Sequence, residues 1–228
     1  MYSKLSLPLP YKTGMKMKLI IFDFDGTLAD TRQLIVETMQ ETIQALGLTS
    51  CTDEQCASMI GLPLKQAFTE LIPMSDEMGN RCVDTYRRIF SVNNAAYVIP
   101  TFPHVIETLQ QLSAKGYTLT IASSRSRQSL LDFVHTMHLE EIFSYILGAD
   151  DVVHAKPHPE PVLRTLKAFG CSPEEALVVG DMKYDIEMGR RAGTRTCGVT
   201  YGNGSPQDLK EAGADYLLDD FKEILTIL

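Results

Sequence analysis

Leu19-Ile20-Ile21-Phe22-Asp23-Phe24-Asp25-Gly26-Thr27-Leu28 is an apolar run that ends in two carboxylates one residue apart and then in a turn. In an extended strand, residues two apart point to the same side, so Asp23 and Asp25 can face one point beyond the strand's carboxyl end. Open α/β sheets bind their ligands at that edge. Two carboxylates so close repel each other and resist leaving water, so a counter-charge is expected there, either a divalent cation or a lysine.

Short apolar runs recur at residues 118–123, 145–148, 176–181, 194–199 and 215–218. Each is short and largely apolar rather than strictly alternating, the pattern of a strand covered on both faces, as is the run at 18–24. Helix candidates lie between them at 105–115, 127–138, 159–169 and 184–192. Leu130, Val134 and Met137 have the spacing of one buried helical face, and Gly116, Gly170 and Gly193 stand where helix C-caps are expected. Strands alternating with helices imply right-handed crossovers and a parallel sheet, so residues 18–29 and 101–228 read as a doubly wound α/β core.

Residues 30–100 break that rhythm and offer no strand. Ile35, Met39, Ile43 and Leu46 form one helical stripe that ends at Gly47, and residues 66–72 and 84–93 read as further helices. A helical insert after the first strand would sit above that strand's carboxyl end and is a candidate lid. Residues 1–17 read as a short, partly disordered tail with no continuous apolar stretch of the signal-peptide kind, and Met15 or Met17 could equally be the start.

The 228 residues are 44% hydrophobic and 22% charged, which is globular composition. A formal net charge of −8 with no basic stripe argues against a nucleic-acid partner. No run of about 18 apolar residues exists, so a membrane span is not expected. Cys51, Cys56, Cys82, Cys171 and Cys197 are odd in number and never spaced Cys-x-x-Cys, which disfavours disulfides and a zinc site and points to reduced thiols in the cytoplasm. Monomer and dimer both remain open.

Three more strand ends carry polar groups. Ile121-Ala122-Ser123-Ser124 supplies a hydroxyl and a following backbone N–H. The loop Asp150-Asp151-Val152-Val153-His154-Ala155-Lys156-Pro157 can deliver one lysine, and Gly180-Asp181-Met182-Lys183-Tyr184-Asp185 supplies two further acids. In this order and at these strand ends, Asp23-Phe24-Asp25-Gly26-Thr27, Ser123, Lys156 and Gly180-Asp181 with Asp185 closely resemble the four motifs of haloacid dehalogenase superfamily phosphatases. The resemblance spans about residues 18–228, and the helical insert is similar to the family's cap inserted after the first strand of a Rossmann-like core. Met59-Ile60-Gly61-Leu62-Pro63-Leu64 and Ala212-Gly213-Ala214-Asp215-Tyr216-Leu217-Leu218 resemble the phosphoglycolate-phosphatase-like branch. Two departures stand out: Ser123-Ser124 replaces the common Thr-Asn, and Arg125 follows in place of the commoner Lys.

The resemblance implies a phosphatase acting on a small phosphorylated metabolite, phosphoglycolate-like or a sugar phosphate. By it, Asp23 is the nucleophile, Asp25 the general acid and base, and Lys156 the neutraliser of Asp23 and a phosphoryl oxygen. Gly26, Thr27, Ser123 and Ser124 surround the phosphate, with Thr27 fixing Asp25. Magnesium is the implied cofactor, held by the Asp23 carboxylate, the Asp25 carbonyl and the Asp181 carboxylate, while Asp185 orients a bound water or these ligands. Magnesium is a hard ion suited to such oxygen donors. The rival readings are a phosphomutase of the β-phosphoglucomutase kind, whose members usually show Glu-Asp where this chain has Gly180-Asp181, and a non-catalytic protein that keeps the fold. A dehalogenase is disfavoured because that branch lacks an acid at the Asp25 position.

Other polar positions have plainer readings. A calcium loop starting at Asp23 would need Gly and Glu where Leu28 and Leu34 stand. His135, His138, His154 and His158 read as solvent-facing. Arg125 and Arg127 are either a grip for an anionic leaving group or the surface start of a helix. Lys65 could reach down from the lid, and Gly202-Asn203-Gly204-Ser205 reads as a mobile loop.

Overall fold

The computed structural model describes residues 17–96 and 98–228. The tail expected at 1–17 therefore lies outside the described residues, except for Met17, which is buried in the core.

Strand β1 (Leu19–Phe22) is the first element among the described residues, and four helices follow it: α1 (Arg32–Ala45), α2 (Asp53–Ala57), α3 (Leu64–Leu71) and α4 (Asp76–Ala96). The remainder alternates as α5 (Val105–Ala114), β2 (Thr118–Ala122), α6 (Arg127–Thr136), β3 (Phe143–Leu147), α7 (Glu160–Phe169) and β4 (Ala176–Gly180). It closes with α8 (Lys183–Ala192), β5 (Arg195–Val199), α9 (Pro206–Glu211), β6 (Tyr216–Leu218) and α10 (Ile224–Ile227).

The six strands form one sheet in the order β3-β2-β1-β4-β5-β6, and every pairing is parallel. Parallel strands need crossovers, and here the crossovers are the helices that cover the sheet. Strand alternation divides the cover: Ile20 and Phe22 pack with Val105, Leu109 and Phe133, whereas Leu19 and Ile21 pack with Val162, Leu166 and Met188. That two-sided burial is why the central strands β1 and β4 read as unbroken apolar runs. The chain winds outward from β1 to β3 and then returns to β4 beside β1. The carboxyl ends of β1 and β4 thus flank the point where the winding reverses, the crevice in which such sheets bind ligands.

Helices α1 to α4 bury their own apolar faces against one another. Ile35, Met39, Ile43, Cys56, Phe68 and Cys82 form a cluster distinct from the two on the sheet. The stripe read at Ile35, Met39, Ile43 and Leu46 is the face α1 presents to it. Among the described residues no helix is long and apolar enough to cross a membrane, and all five cysteines are free thiols.

Candidate active site

The β1 ladder persists one residue past the strand, because the Asp23 N–H donates to the Val179 carbonyl at 2.8 Å. The chain then turns: the N–H groups of Leu28 and Ala29 donate to the Phe24 carbonyl at 3.0 and 3.1 Å. Gly26 makes that turn at φ +82°, and a Cβ there would lie 2.1 Å from Asp181 Oδ2. Only glycine meets both the backbone angle and the close approach. Phe24 anchors the turn in the core against the Phe133 ring, 5.4 Å between centroids.

Lys156 enters from the loop after β3. Its ammonium donates to Asp23 Oδ1 and to Asp185 Oδ1, both at 2.6 Å, and all three residues are buried. Burial alone would lower the Lys156 pKa, but Asp185 and Asp23 outweigh it and raise it above the ordinary lysine value. Asp185 is committed elsewhere too, accepting the Met182 N–H at 3.1 Å through Oδ2. A Cβ at Gly180 would lie 2.3 Å from the Asp185 Cγ, so that position must stay bare for Asp185 to reach Lys156.

Asp181, at the end of β4, has no accessible surface. Thr27 Oγ1 donates to its Oδ1 at 3.3 Å, and the Asn203 backbone N–H and side-chain Nδ2 donate to its Oδ2 at 2.7 and 3.1 Å. Asp23, Asp181 and Asp185 bring one carboxylate oxygen each to within 4.8 Å of one another. Burial first, and then the neighbouring Asp23 and Asp185, push the Asp181 carboxyl well above its ordinary value. Burial likewise pushes Asp23 up to about 7, against the pull of Lys156. Three buried carboxylates thus face one ammonium, and the negative charge left over suits a divalent cation held by hard oxygen donors.

Asp25 is oriented differently from its neighbour. Thr31 Oγ1 donates to Asp25 Oδ1 at 2.7 Å, and Arg125 grips both carboxylate oxygens, Nη2 to Oδ1 at 2.5 Å and Nε to Oδ2 at 3.2 Å. The expectation that Thr27 fixes Asp25 is corrected here: the Thr27 hydroxyl serves Asp181, and Thr31 serves Asp25. The surface reading of Arg125 also fails, since its side chain is only 7% exposed.

Ser123 is buried at the end of β2, where its Oγ accepts the Arg125 N–H at 3.3 Å. The Ser124 hydroxyl donates to the Gly61 carbonyl at 2.6 Å, which ties the turn between α2 and α3 to the sheet edge. Lys65 pairs with Asp76 of α4 at 2.5 Å rather than with any of these carboxylates. The Gly202–Ser205 segment is no idle loop, because Asn203 holds Asp181. His135, His138, His154 and His158 face solvent as expected.

Sequence reasoning missed Thr31 and Asn203. For Asn203 the available signal was a Gly-Asn-Gly turn directly after a core strand, a position from which a backbone N–H can reach a neighbouring carboxylate.

A family model of haloacid dehalogenase-like hydrolases matches residues 20–199. The chain is 33% identical over 214 residues to the pyrophosphatase PpaX of Oceanobacillus iheyensis, covering 94% of this chain and 98% of that protein. Among solved structures, a haloacid dehalogenase-like family hydrolase from Streptococcus pneumoniae superposes with a TM-score of 0.82 at 27% identity, over 92% of this chain and 98% of the other. A protein from Haemophilus somnus 129PT, described as a predicted phosphoglycolate phosphatase, does so with a TM-score of 0.83 at 26% identity, over 94% and 99%.

Proposed function

The chain belongs to the haloacid dehalogenase-like hydrolases, and from that premise we propose that it is a magnesium-dependent phosphatase that hydrolyses a small phosphorylated metabolite through an aspartyl-phosphate on Asp23. The observation that carries this reading is the buried Lys156 ammonium 2.6 Å from Asp23, beside Asp181 and Asp185 at the reversal point of the sheet.

A phosphate monoester repels nucleophiles with its own charge, so catalysis needs a placed nucleophile and cations around the phosphoryl oxygens. Asp23 attacks phosphorus, and one difficult displacement becomes two easier ones. Lys156 holds Asp23 in line and neutralises a phosphoryl oxygen. The Ser123 hydroxyl and Ser124 N–H hold the same group over the turn formed by Gly26 and Thr27. Asp25 protonates the leaving oxygen and later takes a proton from the attacking water. The Asp23 carboxylate, the Asp25 carbonyl and the Asp181 carboxylate would hold magnesium, which supplies the remaining positive charge. Asp185 serves chiefly to fix Lys156, and the α1–α4 unit acts as the cap over the site.

Phosphomutases of that kind usually carry Glu at position 180, and the bare backbone that Asp185 demands there weighs against that alternative. Turnover of p-nitrophenyl phosphate with magnesium, and its loss with EDTA, tests the reading. Asp23→Asn should fall to background and Asp25→Asn should lose about 10²–10⁴-fold in kcat. Hydrolysis that survives Asp23→Asn would sink the assignment. A panel of phosphorylated metabolites should include phosphoglycolate, sugar phosphates and, because of the relatives named pyrophosphatases, inorganic pyrophosphate. Glucose 6-phosphate appearing from glucose 1-phosphate, rather than free phosphate, would favour the mutase.

A further inference from the structure

Arg125 touches three parts of the molecule at once. Its fork holds both oxygens of Asp25, and its Nη1 donates to Ser129 at 3.1 Å on α6. Its guanidinium carbon lies 4.8 Å from the ring centroid of Phe133 on α6 and 5.0 Å from that of Phe90 on α4. The sheet domain and the helical cap thus each supply one aromatic ring to the same guanidinium. Phe90 stacks on Tyr86 at 5.7 Å, and Tyr86 meets Phe68 at 6.1 Å. Phe68 and Tyr86 belong to the cap's own buried cluster, so Phe90 is braced by the cap as a body.

We propose that Arg125 is a positioning residue: it aims the Asp25 carboxyl group at the leaving oxygen, and through Phe90 it makes that aim depend on the cap being closed. The inference rests on the phosphatase reading above. A planar fork bound at two points fixes both the direction and the rotation of a carboxyl group, which a point charge does not. A guanidinium between two aromatic faces is in turn held in plane by both. If the cap lifts, Phe90 leaves, the guanidinium loses one wall, and Asp25 is no longer held square to the site. The consequence is a leaving-group effect. When the P–O bond breaks, its electron pair goes to the leaving oxygen, which takes the Asp25 proton. A poor leaving group needs that proton in the transition state and a good one hardly does.

The test compares kcat/KM, which includes the bond-breaking step, for phenyl phosphate and p-nitrophenyl phosphate with magnesium. Wild type, Arg125→Lys and Phe90→Leu are used. Arg125→Lys keeps the charge but loses the fork, and should lose about tenfold more on phenyl phosphate than on p-nitrophenyl phosphate. Phe90→Leu does not touch Asp25, yet should show the same selectivity at about threefold. An equal loss on the two esters in either variant overturns the proposal, because a merely structural role weakens both substrates alike. Wild-type protein that turns over neither these esters nor any member of the metabolite panel with magnesium refutes the phosphatase reading itself, which separates the two failures.

Discussion

At the scale of single residues, the site is a problem of buried charge. Lys156 is balanced between Asp23 and Asp185, and that balance depends on an absent side chain at position 180. Gly180→Ala would place a methyl group 2.3 Å from Asp185 atoms, so Asp185 must give up Lys156 or the Met182 N–H. The expected outcome is a loss of roughly 1–3 kcal/mol in urea unfolding together with a marked fall in turnover. Unchanged stability and activity would show that Asp185 can move without consequence. Asp23, Asp181 and Lys156 were legible because each sits in its motif at a strand end. The partners of Arg125 and Asn203 were not, because each meets its carboxylate only where the chain folds back, and Thr31, six residues from Asp25, stands in no motif that marks it. Asn203 lies 22 residues from Asp181, and Arg125 lies 100 from Asp25.

At the scale of elements, the six expected strands are all present, with small errors of extent. Strand β3 begins at Phe143, earlier than the apolar run at 145–148, because it lies at the sheet edge with Ser144 exposed. Helix α4 runs from Asp76, well before the expected start at residue 84. Its polar first turns, with Asp76, Glu77, Gly79 and Asn80, carry little apolar periodicity. Helices α2 and α9 were not expected, being only 5 and 6 residues long. The link between helical unit and sheet edge at Ser124 makes a prediction of its own. Ser124→Ala removes one neutral hydrogen bond to the Gly61 carbonyl, worth about 0.5–1.5 kcal/mol. Amide exchange across residues 59–62 should quicken roughly fivefold while exchange in the sheet core stays unchanged. Equal exchange in both proteins would mean the bond does not hold the turn.

For the whole molecule, the same buried acids couple folding to pH. Burial raises Asp23 from its ordinary 3.8 to about 7. Between those values the folded chain holds a proton that the unfolded chain has released, so metal-free stability falls as pH rises through about 4 to 7. Protons and a divalent cation compete for these oxygens, and cation binding strengthens as the protons leave. Magnesium should therefore raise the melting temperature more at about pH 7.5 than at about pH 5.5. A shift that is equal or larger at the lower pH would contradict cation binding by these carboxylates. The core itself should respond independently of magnesium: Leu109 is fully buried under the sheet, and Leu109→Ala should cost about 2–5 kcal/mol whether or not the ion is present.

By itself the sequence determined the parallel sheet, the helical insertion and the order in which four motifs reach the strand ends. It could do so because strand and helix periodicity and turn chemistry are local, written within a few residues of where they act. Only the tertiary structure decided how the two carboxylates of Asp23-Phe24-Asp25 part company. One turns to Lys156, the other to Thr31 and to an arginine held between a ring of the sheet domain and a ring of the helical unit. Thr31 is six residues from Asp25, but Lys156 and Arg125 are 133 and 100 residues from the carboxylates they meet, and that meeting depends on packing that no local pattern encodes.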